Sequence, residues 1–314
     1  GYDEKFASAG SMSLSGVDEA LKDAGVTFDF VGFDACLMAT AETALMLTEH
    51  ADYLIASEET EPGVGWYYTD WLTALGKNPS MPTIEIGQGI VDSFVDTCAQ
   101  KCRGQLTTLS VIDLAELEAT LPKALADFSR STSRMIEAKE YQTVSNARNG
   151  AREFAQSSRI DQVDLVHLAK NLGTQEGEAL AEALLGAVKY NRTSSNMTNA
   201  YGISIYFPYQ KSANVERAVS TYRAIGLDDS YSQCIRSFAA IQKAGQTGSG
   251  GSGSPLGSLM GLSGGGSGGS ADAVSALLQA ALGSGFFADR SLDLDSAAQY
   301  VAEHRFAGED LAWT

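Results

Sequence analysis

Between Leu14 and Gly245 the chain alternates amphipathic helical stretches with short apolar runs, and that alternation confines it to one architecture, a sheet covered by helices on both faces. Helices are expected over 15–24, with Ser15 as N-cap, and over 37–49, while 28–33 (FDFVGF) and 53–57 (YLIAS) are apolar runs of strand length. Pro62-Gly63 breaks the pattern. Helices over 68–75 and 83–101 follow, then a strand over 106–112 and longer helices within 114–140. Helices near 162–171 and 176–189 lead to a β-prone run, 202–207 (GISIYF), closed by Pro208, and helices from Val215 and Tyr231 complete the block.

From 245 to 270 the sequence holds 12 Gly and 7 Ser in 26 residues, a composition that cannot bury a core and behaves as a flexible linker. The expected organisation is therefore one α/β domain over 1–244, the linker over 245–270, and the start of a truncated module over 271–314, whose two short helix candidates are too little for a core alone. Gly1 and the polar stretch after it have neither the charged nor the apolar region of a signal peptide, and the chain stops at Trp313-Thr314, so an internal fragment of a longer protein is expected. No apolar run approaches the roughly 18 to 20 residues that span a bilayer.

Charge narrows the partners. With 22 basic and 39 acidic residues the formal charge is −17, which argues against nucleic acid and anionic membrane surfaces and favours basic peptides. The four cysteines, Cys36, Cys98, Cys102 and Cys234, are too few for a disulfide scaffold and lack metal-knuckle spacing. Cys98 and Cys102 lie four apart in a helical stretch and are read as small buried hydrophobes. Cys36 is different. It follows the strand over 28–33 and precedes a predicted helix, at the carboxyl end of a strand, where open α/β sheets bind ligands. A thiol there would feel the positive end of the helix, which favours the thiolate, and nearby backbone amides could hold an oxyanion. A buried core cysteine is the plainer alternative.

Three motifs occur in order: Phe33-Asp34-Ala35-Cys36-Leu37-Met38, then Ser57-Glu58-Glu59-Thr60-Glu61-Pro62-Gly63-Val64-Gly65-Trp66, then Gly202-Ile203-Ser204-Ile205-Tyr206-Phe207-Pro208. Together they resemble the clostripain family of cysteine peptidases, a branch of the caspase-like clan, over roughly residues 1 to 243. The resemblance implies a caspase-hemoglobinase-like α/β/α sandwich with a mostly parallel central sheet. It also implies an endopeptidase that cleaves protein or peptide substrates after Arg or Lys through a Cys-His dyad. Cys36 matches the family nucleophile, and Asp34 matches an aspartate associated with the pocket for the basic side chain. A carboxylate there selects Arg or Lys because an unpaired buried charge is costly on either side. Asp34 alternatively caps the next helix or bonds loop amides. Glu58, Glu59 and Glu61 extend the negative field in this reading, and singly each is equally a solvated loop face. Gly63 and Gly65 beside Trp66 and Tyr67 suggest a turn with aromatic walls.

The resemblance also sets a requirement the chain does not meet. The family's histidine-glycine motif closes the preceding strand, about 50 residues before the cysteine in caspase-like enzymes, and only 35 residues precede Cys36. The base is therefore expected upstream of Gly1, with His50, His167 and His304 outside the motif. Family members often mature by cutting themselves between histidine and cysteine, and Lys5-Phe6 is the expected bond. The chemistry needs no cofactor. Calcium, used by some relatives, is left open in the absence of EF-hand-like spacing. An inactive member that grips basic peptides as a binding or adhesion module is the alternative function. Export to a bacterial surface or exterior is the expected localisation.

Overall fold

A computed structural model of the chain describes residues 12–210 and 212–247. Lys5, His304 and nearly all of the segments read as linker and truncated module lie outside the described residues. The elements in order are α1 (Leu14–Ala24), β1 (Phe28–Gly32), α2 (Ala41–Leu47), β2 (Ala51–Ala56), α3 (Tyr68–Lys77), α4 (Thr83–Lys101), β3 (Thr108–Asp113) and α5 (Leu114–Glu137). They continue with α6 (Tyr141–Gly150), β4 (Gln162–Asp164), α7 (Leu165–Leu172), α8 (Gln175–Ala187), β5 (Val188–Thr193), β6 (Ser204–Tyr206), α9 (Val215–Ala224) and α10 (Asp229–Thr247).

Four strands form the central sheet in the order β1-β2-β3-β5, and β4 pairs with β6 in a second, two-stranded sheet. Period-two alternation sends neighbouring side chains of the buried strands to opposite faces. Leu54, Ala56 and Ile112 enter the larger core beneath α2, α5, α7, α8 and α10. Ile55, Leu109 and Val111 enter a smaller core with Ile86, Ile90 and Phe94 of α4 and with Trp66. Helices thus cover both faces, as the alternation requires.

The sheet is mixed where a mostly parallel one was expected. β1 and β2 are parallel, but β2–β3 and β3–β5 are antiparallel. Two helices, α3 and α4, join β2 to β3, and an even number of passes returns the chain to the edge it left, so β3 runs back along β2. β5 was hidden in the sequence as well. Its run Val188-Lys189-Tyr190-Asn191-Arg192-Thr193 is polar, as suits a strand at the end of the sheet order with no fully buried residue. Two smaller corrections concern α1 and α10. α1 is capped by Ser13, whose hydroxyl accepts from the Gly16 amide, rather than by Ser15, and α10 continues to Thr247, past the expected boundary at 244.

Candidate active site

β1 and β2 end side by side, and the chain leaves each of them toward the same edge. After β1 the Phe33 amide still donates to the Ile55 carbonyl (3.0 Å), and the chain then turns through Asp34, Ala35 and Cys36. Leu37 has φ +64°, a left-handed conformation that a branched side chain adopts only under strain. The backbone is fixed directly afterwards. Leu37 donates to the Glu59 carbonyl (3.2 Å) and Ala39 to that of Ser57 (2.9 Å), while the Ser204 amide donates to the Ala39 carbonyl (2.9 Å).

This ladder corrects the expected helix start. Leu37 and Ala39 spend backbone groups on strand-like partners and the Met38 carbonyl accepts the Thr40 amide (2.9 Å), so α2 begins only at Ala41, with Thr40 capping it through the Thr43 amide (3.0 Å). Cys36 therefore does not head a helix, and the helix end is not what acts on its thiol. A different group does: the Glu61 amide donates to Cys36 Sγ at 3.2 Å, and the Glu61 carbonyl lies 4.0 Å from the same sulfur. A donor aimed at sulfur favours the charged thiolate over the thiol. The half-buried Cys36 contrasts with Cys98 and Cys234, both buried, whose thiols burial pushes up to about 12. These two pack as hydrophobes, as expected of Cys98.

Asp34 faces the loop that follows β2. Its Oδ1 accepts the Trp66 amide and its Oδ2 the Tyr68 hydroxyl, each at 3.2 Å. Gly65 lies against it with φ +61°, and a Cβ there would come within 3.1 Å of both carboxylate oxygens, so the close approach depends on glycine. Burial, and then the charge of Asp34, raises the Tyr68 pKa and keeps the hydroxyl protonated as a donor. Trp66 packs its ring over Gly32 and its indole N–H points to Glu61 Oε1 at 3.4 Å. Trp66 is buried, while Tyr67 and Tyr68 stay exposed, so one aromatic anchors the loop and two line its outer side.

The remaining acidic candidates turn inward. Glu58 is 0% exposed, and its Oε2 accepts the Gly202 amide at 2.9 Å. Glu59 is buried too. Its Oε1 accepts from the Thr60 amide, the Thr60 hydroxyl and the Ala155 amide, although the residue borders a cavity of about 300 Å³ with Thr60, Arg152 and Gln156. The fold therefore brings Asp34, Cys36 and Glu61 together and takes Glu58 out of reach of a substrate side chain. The described histidines are engaged elsewhere. His50 bonds Asp18 of α1 (2.7 Å), and His167 Nδ1 accepts the Arg152 amide (2.9 Å).

Two further acids are buried. Asp161 has φ +61° and pairs with the buried Arg148. Asp164 does cap α7, through the His167 amide (2.6 Å), but its other oxygen accepts the Tyr201 amide (2.5 Å) and the carboxyl meets that of Glu58. An Asp opening a helix was the one local signal, and nothing local ties it to Glu58.

A family model described as the clostripain family matches residues 1–251 of the 314. The chain belongs to the clostripain family. It is therefore a member of a family of cysteine peptidases, whose substrates are proteins or peptides. Among solved structures it is similar to a clostripain from Bacteroides thetaiotaomicron in complex with the peptide inhibitor BTN-VLTK-AOMK, at 18% identity and a TM-score of 0.53, covering 72% of this chain and 97% of that one. A B. fragilis cysteine protease matches at 19% identity and a TM-score of 0.50, over 72% and 96%. An inactive zymogen C11 protease from Parabacteroides distasonis matches at 19% and 0.51, over 68% and 62%. At these identities the likeness shows the fold, which is that of clostripain-family peptidases, a central sheet between helices. A search of curated proteins finds no match. No helix among the described residues is long and apolar enough to cross a membrane.

Proposed function

We propose that this chain is an endopeptidase that cleaves after Arg or Lys, with Cys36 as nucleophile and Asp34 receiving the basic side chain. The observation that carries the reading is the Cys36 thiol, half-buried on a strained turn at the sheet edge, with the Glu61 amide 3.2 Å from its sulfur and Asp34 two residues away. In the reaction the thiolate attacks the carbonyl carbon of the basic residue itself, and the carbonyl oxygen takes the negative charge under backbone N–H groups. A histidine base takes the thiol proton and passes it to the leaving amine. The resulting thioester is then hydrolysed, which releases the acid and restores the thiol.

Asp34 supports the basic preference because its carboxylate is only half-buried, bonded by one amide and one hydroxyl, and retains acceptor capacity for a guanidinium or ammonium. The net charge of −17 acts in the same direction by drawing basic peptides to the surface. Export from a bacterial cell and self-cleavage at Lys5-Phe6 belong to the same reading. The chemistry runs without a cofactor; calcium would act on the fold or its maturation rather than on the bond being cut. The test is hydrolysis of paired Arg- and Lys-ending fluorogenic peptides by the full-length protein beside Cys36→Ala, with and without calcium. Mass spectrometry of the active protein checks the Lys5-Phe6 bond. Cleavage that vanishes in the variant is expected; equal cleavage by both proteins removes Cys36 from the reaction.

A further inference from the structure

We propose that Glu58 and Asp164 form a buried acid pair sharing one proton, and that this pair positions the segment 57–61 whose amide holds the Cys36 sulfur. The two carboxyls come from distant parts of the chain, the end of β2 and the start of α7, and both are 0% exposed. Consecutive amides bind them: Tyr201 donates to Asp164 Oδ2 and Gly202 to Glu58 Oε2. That leaves Glu58 Oε1 buried, with no donor among the described residues, beside the Asp164 carboxyl. Two carboxylates are both acceptors, so they can bond only if one of them carries a proton, and two unpaired charges at this depth would be costly. Burial and then the charge of Asp164 hold the Glu58 carboxyl well above the usual range, and burial raises Asp164 to about 6.

The surroundings make the pair a clamp. The amides of Glu58 and Glu59 both donate to Thr108 Oγ1 (2.9 and 3.1 Å), which fixes one side of the segment. Ser110 Oγ donates to the Gly202 carbonyl (2.7 Å), and a Cβ on Gly202, with φ +103°, would lie 2.9 Å from Ser110 Cβ, so the turn that feeds Glu58 is equally fixed. From the clamped segment the Glu59 carbonyl takes the Leu37 amide and the Glu61 amide reaches Cys36 Sγ. The charged and titratable neighbours are few. Glu59 adds negative charge from the same segment, and burial, then the nearby Arg152 and Lys170, lowers the His167 pKa and disfavours its charged form. Loss of the shared proton would set two like charges against each other and push Glu58, and with it Glu61, away from the sulfur. Glu58 is thus a positioning residue, in contrast to the substrate contact suggested by its motif.

This inference rests on Cys36 as the reactive thiol, so its test reads the thiol directly. The full-length wild type, Glu58→Gln and Glu58→Ala are alkylated with iodoacetamide from pH 5 to 9, and modification at Cys36 is followed by mass spectrometry. Glutamine keeps the shape, accepts from Gly202 and donates permanently to Asp164. Near pH 7 Glu58→Ala is expected to react about tenfold more slowly at Cys36, the effect of losing a donor to the thiolate, and Glu58→Gln to restore the rate. The wild-type profile should bend at the alkaline end of this range, where the shared proton is lost, and that of Glu58→Gln should not, a comparison that stands even if Glu58→Ala fails to fold. Superimposable wild-type and Glu58→Gln profiles, or an unslowed Glu58→Ala, overturn the proposal. A response in alkylation from a protein that cleaves no peptide would leave the clamp standing and remove the peptidase reading instead.

Discussion

Asp34 and Glu58 follow two neighbouring parallel strands toward the same sheet edge, yet one carboxylate stays half-open to solvent while the other is closed off entirely. Asp34 is held lightly, by one amide and one tyrosine hydroxyl. Glu58 is locked between a turn amide and a second carboxyl. An acid left accessible can receive an incoming cation, and an acid buried against another can only organise the fold around it. The same residue chemistry can thus serve recognition after one strand and positioning after its neighbour, and exposure rather than charge decides which.

Trp66 supports both regions, so its loss should erase the contrast. Trp66→Ala removes a buried ring that packs over Gly32 and reaches Glu61, and about 3–5 kcal/mol of stability should go with it, read by urea denaturation. Asp34→Asn should separate the regions. Its melting temperature should stay close to wild type, while kcat/KM for Arg and Lys substrates falls about 100-fold, equivalent to roughly 2.7 kcal/mol. A matching loss on a substrate with an uncharged residue at that position would make Asp34 a loop pin like Glu58.

The closed pair should show itself in the pH dependence of stability. Both carboxyls titrate above their unfolded values, so the stability they contribute is fully present below the ordinary carboxylate range, near pH 4. It is lost as pH rises through about 6 and beyond. Glu58→Gln cannot ionise, so its stability advantage over wild type should grow from pH 5 to pH 8; a constant difference would break the assignment. The smallest effect is expected from Tyr68→Phe, which removes one partly exposed hydrogen bond to Asp34, worth about 0.5–1.5 kcal/mol at most.

These two regions were legible in the sequence to different depths. β1 and β2 were found because they are continuous apolar runs, and the turn at Cys36 followed from where β1 had to end. The start of α2 was missed because Leu37, Met38 and Ala39 favour helix locally, while tertiary partners at Ser57, Glu59 and Ser204 claim backbone groups of Leu37 and Ala39. β5 was missed because an end strand need not be apolar, and the direction of β3 was missed separately, because two helices rather than one join it to β2. The motif containing Glu58 and Glu59 marked the right loop. It could not tell which carboxylates face outward, because that depends on Gly202, Ala155 and Asp164, all far away in the chain.

The most direct measurement is a comparison of Arg- or Lys-ending fluorogenic peptides with their uncharged counterparts, using wild type, Cys36→Ala and Asp34→Asn full-length protein. No cleavage is expected from Cys36→Ala, and from Asp34→Asn a loss confined to the basic peptides. Cleavage that survives in Cys36→Ala, or an Asp34→Asn enzyme that still prefers basic peptides as strongly as wild type, would contradict it.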